Sequence, residues 1–136
     1  MRRIACLKQT APNAKIIGRY LGGTPENGLT SLENALQAHP DIDTVVSINY
    51  AGAFGAIKAL EAAGKDPQTT IVVGIDADAQ AKDLIKRGKF YRGTVDTSPG
   101  STGEMVVNAA IKLLAGITAP KNVRVPVTKI TKDSLP

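Results

Sequence analysis

A run of apolar residues at positions 70–75 ends directly on a carboxylate, Asp76, and a helix-like segment follows at once. A continuous β-branched run between polar flanks is typical of a strand buried on both faces, as in a parallel sheet. Asp76 then lies at the carboxyl end of that strand, where open α/β sheets bind their ligands. An acid in this position is either a helix cap or a ligand-binding group.

Strand-like and helix-like segments alternate along the whole chain. We predict strands at residues 15–18, 44–48, 70–75 and 93–95, and an extended edge segment at residues 123–127, whose Pro126 has no N–H to donate. The predicted helices are residues 3–10, 24–39, 53–64, 79–87 and 98–116, and Gly88 is expected to end the fourth of them. This alternation predicts an α/β fold with a doubly wound parallel sheet in a single domain, residues 1–136.

The first element departs from this plan. Residues 3–10 are helix-like, and no strand-like segment precedes them. Parallel sheets of this class normally begin with a strand, so we expect the first central strand to be missing and the domain to be incomplete at its N-terminus.

Composition argues against several functional classes. The chain has 136 residues, 43% of them hydrophobic and 21% charged, and its net charge is +5. The basic residues are spread over several elements without a recognition motif, so we expect no nucleic-acid partner. No apolar run approaches the ~20 residues of a membrane span, and the N-terminus lacks a signal-peptide pattern. Cys6 and His39 are each the only residue of their type, which disfavours a disulfide or a thiolate metal site.

Catalytic motifs are not found either. The chain has no Gly-rich phosphate loop, no dinucleotide-binding spacing and no Gly-x-Ser-x-Gly elbow. Asp76 and Asp78 are two residues apart, but no further carboxylates support a cation site. We therefore expect a protein that is not an enzyme, with no catalytic residues, no cofactor and no metal.

Three predicted strands end in polar residues: Asn49, Asp76, and the pair Asp96 and Thr97. If the strands are parallel, all of these residues lie on one edge of the sheet. Together they offer acceptors and an amide donor, which suits a ligand with neighbouring hydroxyl groups. Asn49 and Asp76 could equally be helix N-caps, because each precedes a predicted helix.

The ordered set of these motifs resembles the carboxyl-terminal lobe of the sugar-type periplasmic binding proteins. The residues that carry the resemblance are Ala38-His39-Pro40-Asp41-Ile42-Asp43, Asn49, Gly55-Ala56-Ile57-Lys58-Ala59-Leu60, Ala63-Gly64-Lys65, Val72-Val73-Gly74-Ile75-Asp76, Gly93-Thr94-Val95-Asp96, Pro99, Gly103 and Val125-Pro126-Val127-Thr128-Lys129-Ile130-Thr131. The resemblance implies the substrate-binding component of an ABC importer, in which two lobes close over a small sugar-like solute. It also implies a periplasmic location and an ABC permease as partner.

The resemblance also implies roles for individual residues. Asn49 and Asp76 match positions that hydrogen-bond the solute, Thr97 stands where relatives often carry Gln, and Arg3 matches an arginine that joins the site. An alternative with the same fold is the effector-binding domain of a lactose-repressor-like transcription regulator.

The resemblance is incomplete at the N-terminus. Relatives have an amino-terminal lobe, and in this lobe they have a further strand before the segment that matches residues 3–10. In the sheet, that strand lies between the two strands that match residues 15–18 and 44–48. We therefore expect a truncated lobe with a half-built cleft and weak affinity. We also expect a distorted sheet, or a strand supplied by the missing lobe or another chain.

Overall fold

Helices and short strands alternate around one four-stranded sheet in the computed structural model. The structure describes residues 2–136, with side chains from residue 5 onward. The elements are α1 (Arg2–Thr10), α2 (Pro25–Ala38), β1 (Thr44–Val46), α3 (Tyr50–Ala62), β2 (Ile71–Val73), α4 (Ala79–Arg87), β3 (Tyr91–Asp96), α5 (Pro99–Leu114) and β4 (Thr128–Thr131), followed by a 3₁₀ turn at Lys132–Ser134.

The sheet has the strand order β1-β2-β3-β4. β1, β2 and β3 are parallel, with Val46 opposite Val73 and Val73 opposite Gly93. β4 is antiparallel to β3. The α/β fold and the parallel arrangement of the strands around Asp76 are thus confirmed.

The edge strand lies later in the chain than the predicted segment at residues 123–127. No strand includes those residues, and β4 begins at Thr128, two residues after Pro126. Proline cannot donate a backbone hydrogen bond, so regular pairing begins only beyond it. The prediction of an extended edge segment at 123–127 was therefore wrong in position.

The core lies between the sheet and helix α3. Ala53 and Leu60 of α3 are fully buried, as are Val72 of β2 and Ala81 of α4. Helix α2 packs on α3 rather than on the sheet. A β-carbon on Gly28 of α2 would collide with the carbonyl of Gly52, so the two helix backbones approach each other directly.

Residues 15–18 do not form the predicted strand. They are in no regular element, and we find no backbone hydrogen bond from them to any residue that the structure describes. A strand needs a neighbouring strand for its backbone hydrogen bonds. Residues 15–18 were expected on the β1 side of the sheet, but among the described strands β1 pairs only with β2. Ile16 and Ile17 are β-branched and favour an extended backbone, but the prediction of a strand at residues 15–18 was wrong.

The second face of the sheet is largely uncovered. Helix α5 buries none of its residues, and its Leu114 is 90% exposed. Val46 of β1 and Ile48 just beyond it are 57% and 59% exposed. Parallel sheets are normally covered on both faces, so this apolar surface lacks a partner within the described part of the chain. None of the described helices is long and apolar enough to cross a membrane.

Candidate functional site

The carboxyl ends of β1, β2 and β3 lie side by side, as parallel pairing requires. Backbone hydrogen bonds continue past the regular strands. The N–H of Ser47 donates to the carbonyl of Val73 at 2.8 Å, and the N–H of Asp76 donates to the carbonyl of Val95 at 3.0 Å. Thr97 follows two residues after Val95. The loops that carry the predicted site residues are thus tied to one edge of the sheet.

Asn49 caps helix α3 and holds a neighbouring loop. Its side-chain oxygen accepts from the N–H of Gly52 at 2.9 Å, and its amide donates to the carbonyl of Gly23 at 2.9 Å. The N-cap alternative is therefore what the structure shows for Asn49. One lone pair and one amide hydrogen remain for a ligand, so a cap and a binding group can be the same side chain.

Asp76 does not cap the following helix. That role belongs to Asp78, whose carboxylate accepts from the N–H of Ala81 at 2.7 Å. The Asp76 side chain is exposed, and its carboxylate makes no hydrogen bond or ion pair with the residues that the structure describes. The cap alternative is thus wrong for Asp76, and its carboxylate is available to a ligand.

The backbone of Asp76 is left-handed, with φ 75°. Ser98, in the loop after β3, is the other described non-glycine residue with positive φ, at 50°. Such conformations cost free energy and concentrate at functional sites, where the surrounding structure holds them. Both lie in neighbouring loops at the carboxyl edge of the sheet.

Thr97 is half-buried at the same edge, and its carbonyl accepts from the hydroxyl of Thr102 at 3.3 Å. Its neighbour Asp96 is occupied locally, because its carboxylate accepts from the N–H of Ser98 at 2.8 Å. The hydroxyl of Thr97, just after β3, makes no hydrogen bond with the described residues, whereas one of the two carboxylate oxygens of Asp96 is engaged. Arg3 lies in α1, and its side chain is outside the described residues, so its predicted role stays a prediction.

Two features under this edge were not found from the sequence. The hydroxyl of Tyr91 is buried without a hydrogen-bond partner among the described residues, and burial raises the pKa of Tyr91. It lies 2.5 Å from the point where a β-carbon on Gly74 would stand. Thr94, 3% exposed, donates its hydroxyl to the carbonyl of Asp76 at 2.9 Å. Neither feature has a local sequence signal, because each depends on the register between β2 and β3.

The edge is an open surface rather than an enclosed pocket. A depression of about 70 Å³ lies elsewhere, between α3 and α4, and is lined by residues such as Ile57, Leu84 and Phe90. No group of three or more His, Cys, Asp or Glu side chains arranged to hold a metal ion occurs among the residues described. The edge offers hydrogen-bonding side chains on an open surface.

Comparison with known proteins identifies relatives over most of this chain. The ribose import binding protein of Bacillus subtilis is 37% identical over 99 residues, which cover 73% of this chain and 31% of that relative. The myo-inositol binding protein of Caulobacter, bound to myo-inositol, matches 96% of this chain with a TM-score of 0.84 and 28% identity. A Mycobacterium smegmatis protein in complex with β-D-fucofuranose matches 97%, with a TM-score of 0.84 and 29% identity.

These relatives are much longer than this chain. The chain spans about a third of the length of the curated relatives it matches, and 45% and 44% of the two solved chains. A family model described as a periplasmic binding protein domain matches residues 3–118. Because that match covers most of the chain, the chain belongs to the periplasmic binding protein family.

Proposed function

We propose that residues 1–136 are one lobe of the solute-binding component of an ABC importer and that the lobe binds a small sugar-like solute. The observation that carries this proposal is Asp76, whose carboxylate is exposed and unpartnered while its backbone is held in a left-handed conformation. The names of the relatives support it, since they refer to ribose, myo-inositol and fucofuranose.

The chemistry of the edge suits a polyhydroxylated ligand. Each sugar hydroxyl can donate one hydrogen bond and accept others, so it pairs best with acceptors and donors placed side by side. In this proposal Asp76 accepts from two neighbouring hydroxyls, Asn49 uses its remaining amide hydrogen and lone pair, and Thr97 contributes its hydroxyl. Arg3 is assigned a contact on the basis of the resemblance alone. The lobe binds and does not catalyse.

The opposite wall of the cleft comes, in this proposal, from a second lobe of the same protein or from another chain. The partial coverage of the relatives supports this, and so do the open edge of β1 and the apolar face of α5. The resemblance adds an ABC permease as partner and the periplasm as location. The lactose-repressor-like alternative gains nothing from these relatives, whose names refer to import and to solute binding.

The proposal is tested by titrating the full chain with D-ribose and with myo-inositol, following amide chemical shifts by NMR so that millimolar affinities are measured. We expect Asp76→Ala to weaken binding about 10- to 100-fold, because a hydrogen bond to a charged group contributes about 1.5–3 kcal/mol. Asp76 is a cleaner target than Asn49, whose removal also uncaps α3.

The matched control is Asp41→Ala. Asp41 is an exposed carboxylate in the turn before β1, at the opposite end of the sheet. Its substitution should leave the affinity within about twofold of the original, since tenfold corresponds to about 1.4 kcal/mol. Equal affinity of the Asp76→Ala variant and the unsubstituted chain would contradict the proposed site.

A further inference from the structure

The backbone of Asp76 is clamped on both sides by strand β3. Its N–H donates to the carbonyl of Val95 at 3.0 Å, and its carbonyl accepts the hydroxyl of Thr94 at 2.9 Å. The first bond fixes the peptide plane before Asp76 and the second fixes the plane after it. The φ and ψ angles of Asp76 are the rotations between these two planes, so the two bonds together define its left-handed conformation.

This conformation decides where the carboxylate goes. Side chains alternate between the two faces of a strand, so a straight continuation of β2 would direct residue 76 to the same face as Val72 and Gly74. Val72 is fully buried and Gly74 is buried as well. A carboxylate sent into that face would lose its hydration without gaining a partner. The left-handed turn at Asp76 instead leaves its side chain exposed at the edge.

Of the two bonds, only the one from Thr94 depends on a side chain. Thr94 is one of two buried threonines in the described chain, and Thr70 is the other. A valine at position 94 would have the same shape but would leave the carbonyl of Asp76 without this donor. Non-glycine residues pay about 1–2 kcal/mol to be left-handed, which is comparable to the contribution of one hydrogen bond.

We propose that Thr94 is a positioning residue for solute binding: its hydroxyl holds Asp76 in the left-handed conformation that presents the carboxylate to the ligand. This inference rests on the proposed function of Asp76 as a solute contact. Thr94 itself, 3% exposed, has no direct access to the solute.

The test compares Thr94→Val, which removes the hydroxyl, with Thr94→Ser, which keeps it, in the full chain. Two quantities are measured by NMR: the backbone chemical shifts of Asp76, which report its φ and ψ, and the affinity for D-ribose and myo-inositol. We expect Thr94→Val to move the Asp76 shifts away from left-handed values and to weaken binding about tenfold, as loss of about 1.4 kcal/mol implies. Thr94→Ser should bind within about twofold of the unsubstituted chain.

Two further variants separate positioning from general destabilisation. Thr70→Val removes the other buried threonine hydroxyl, at the amino end of β2, and should leave both the Asp76 shifts and the affinity unchanged. Once Asp76→Ala has removed the carboxylate, adding Thr94→Val should weaken binding no further, because the residue to be positioned no longer binds.

The two proposals fail in different ways. If Thr94→Val leaves the Asp76 shifts or the affinity unchanged while Asp76→Ala weakens binding, the positioning role is refuted and the solute site stands. A chain that binds neither D-ribose nor myo-inositol contradicts the proposed function with these ligands. In that case the shift measurement alone decides whether Thr94 sets the conformation of Asp76.

Discussion

Replacing Asp76 by glycine and by alanine should separate the conformational cost of this residue from its binding role. Glycine adopts positive φ without strain, whereas alanine pays about 1–2 kcal/mol at the φ of 75° found here. Glycine also loses more backbone entropy on folding than alanine, which offsets about 0.5–1 kcal/mol of the advantage of the Gly variant. The Gly variant should therefore be more stable than the Ala variant by about 0.5–1 kcal/mol.

Both quantities are measurable on the same samples. Urea unfolding followed by circular dichroism gives the difference in free energy of unfolding, which corresponds to about 2–4 °C in Tm for a chain of this size. NMR titration gives the affinity. Because both variants lack the carboxylate, they should lose solute affinity equally, while differing in stability.

A pair of substitutions at Asp83 is the matched control. Asp83 is an exposed residue inside helix α4, where glycine is less favourable than alanine by about 1 kcal/mol. The order of stability should therefore reverse: Ala above Gly at position 83, and Gly above Ala at position 76. An Ala variant at position 76 as stable as the Gly variant would refute a left-handed Asp76 in solution.

Four more substitutions test the packing under the site and in the helices around it. Gly74→Ala should destabilise the fold by about 1–3 kcal/mol, since its β-carbon would stand 2.5 Å from the hydroxyl of Tyr91, and Tyr91→Phe should recover most of that loss in urea unfolding. Burial raises the pKa of Tyr91 above its ordinary 10.0. The contribution of the protonated Tyr91 to the free energy of unfolding is therefore complete below about pH 10 and is lost as the pH rises through the folded-state pKa. The Tyr91→Phe variant should lose less stability than the unsubstituted chain in alkaline buffer, and an equal loss would show that Tyr91 is not the cause. Gly55→Ala should cost about 3 kcal/mol, because its β-carbon would collide with the backbone carbonyl of Pro25. Gly103→Ala in α5, with open space around it, should be neutral or stabilising by up to about 1 kcal/mol in the same urea unfolding assay.

Local patterns in the sequence were sufficient to locate the strands and helices around the site. The β-branched run at residues 70–75 identified the strand that leads to Asp76. Thr24 followed by Pro25 located the start of α2, and Thr24 indeed caps it by accepting from the N–H of Asn27. Gly88, at φ 66°, ends α4 as its position after the helix indicated. Such signals succeed because capping and backbone conformation are decided within a few residues.

Properties that depend on distant partners could not be predicted in this way. The pattern at residues 15–18 indicates a strand, but the partner for pairing is not encoded in those residues. In α5 the apolar residues Val106 and Leu113 recur at helical spacing, but the structure leaves them 63% and 61% exposed, because what covers a helix face is not encoded in the helix itself. The role of Thr94 requires the register of β3 against the loop after β2, which no local pattern specifies.

The direction of β4 bears on how this protein can be labelled or immobilised. Thr128 pairs with Asp96 and Thr131 with Gly93, so β4 runs from the carboxyl edge of the parallel strands back toward their amino ends. The residues after β4 therefore emerge on the side of the sheet away from Asp76. A fluorophore or surface tether attached beyond Ser134 would therefore leave the proposed binding edge accessible.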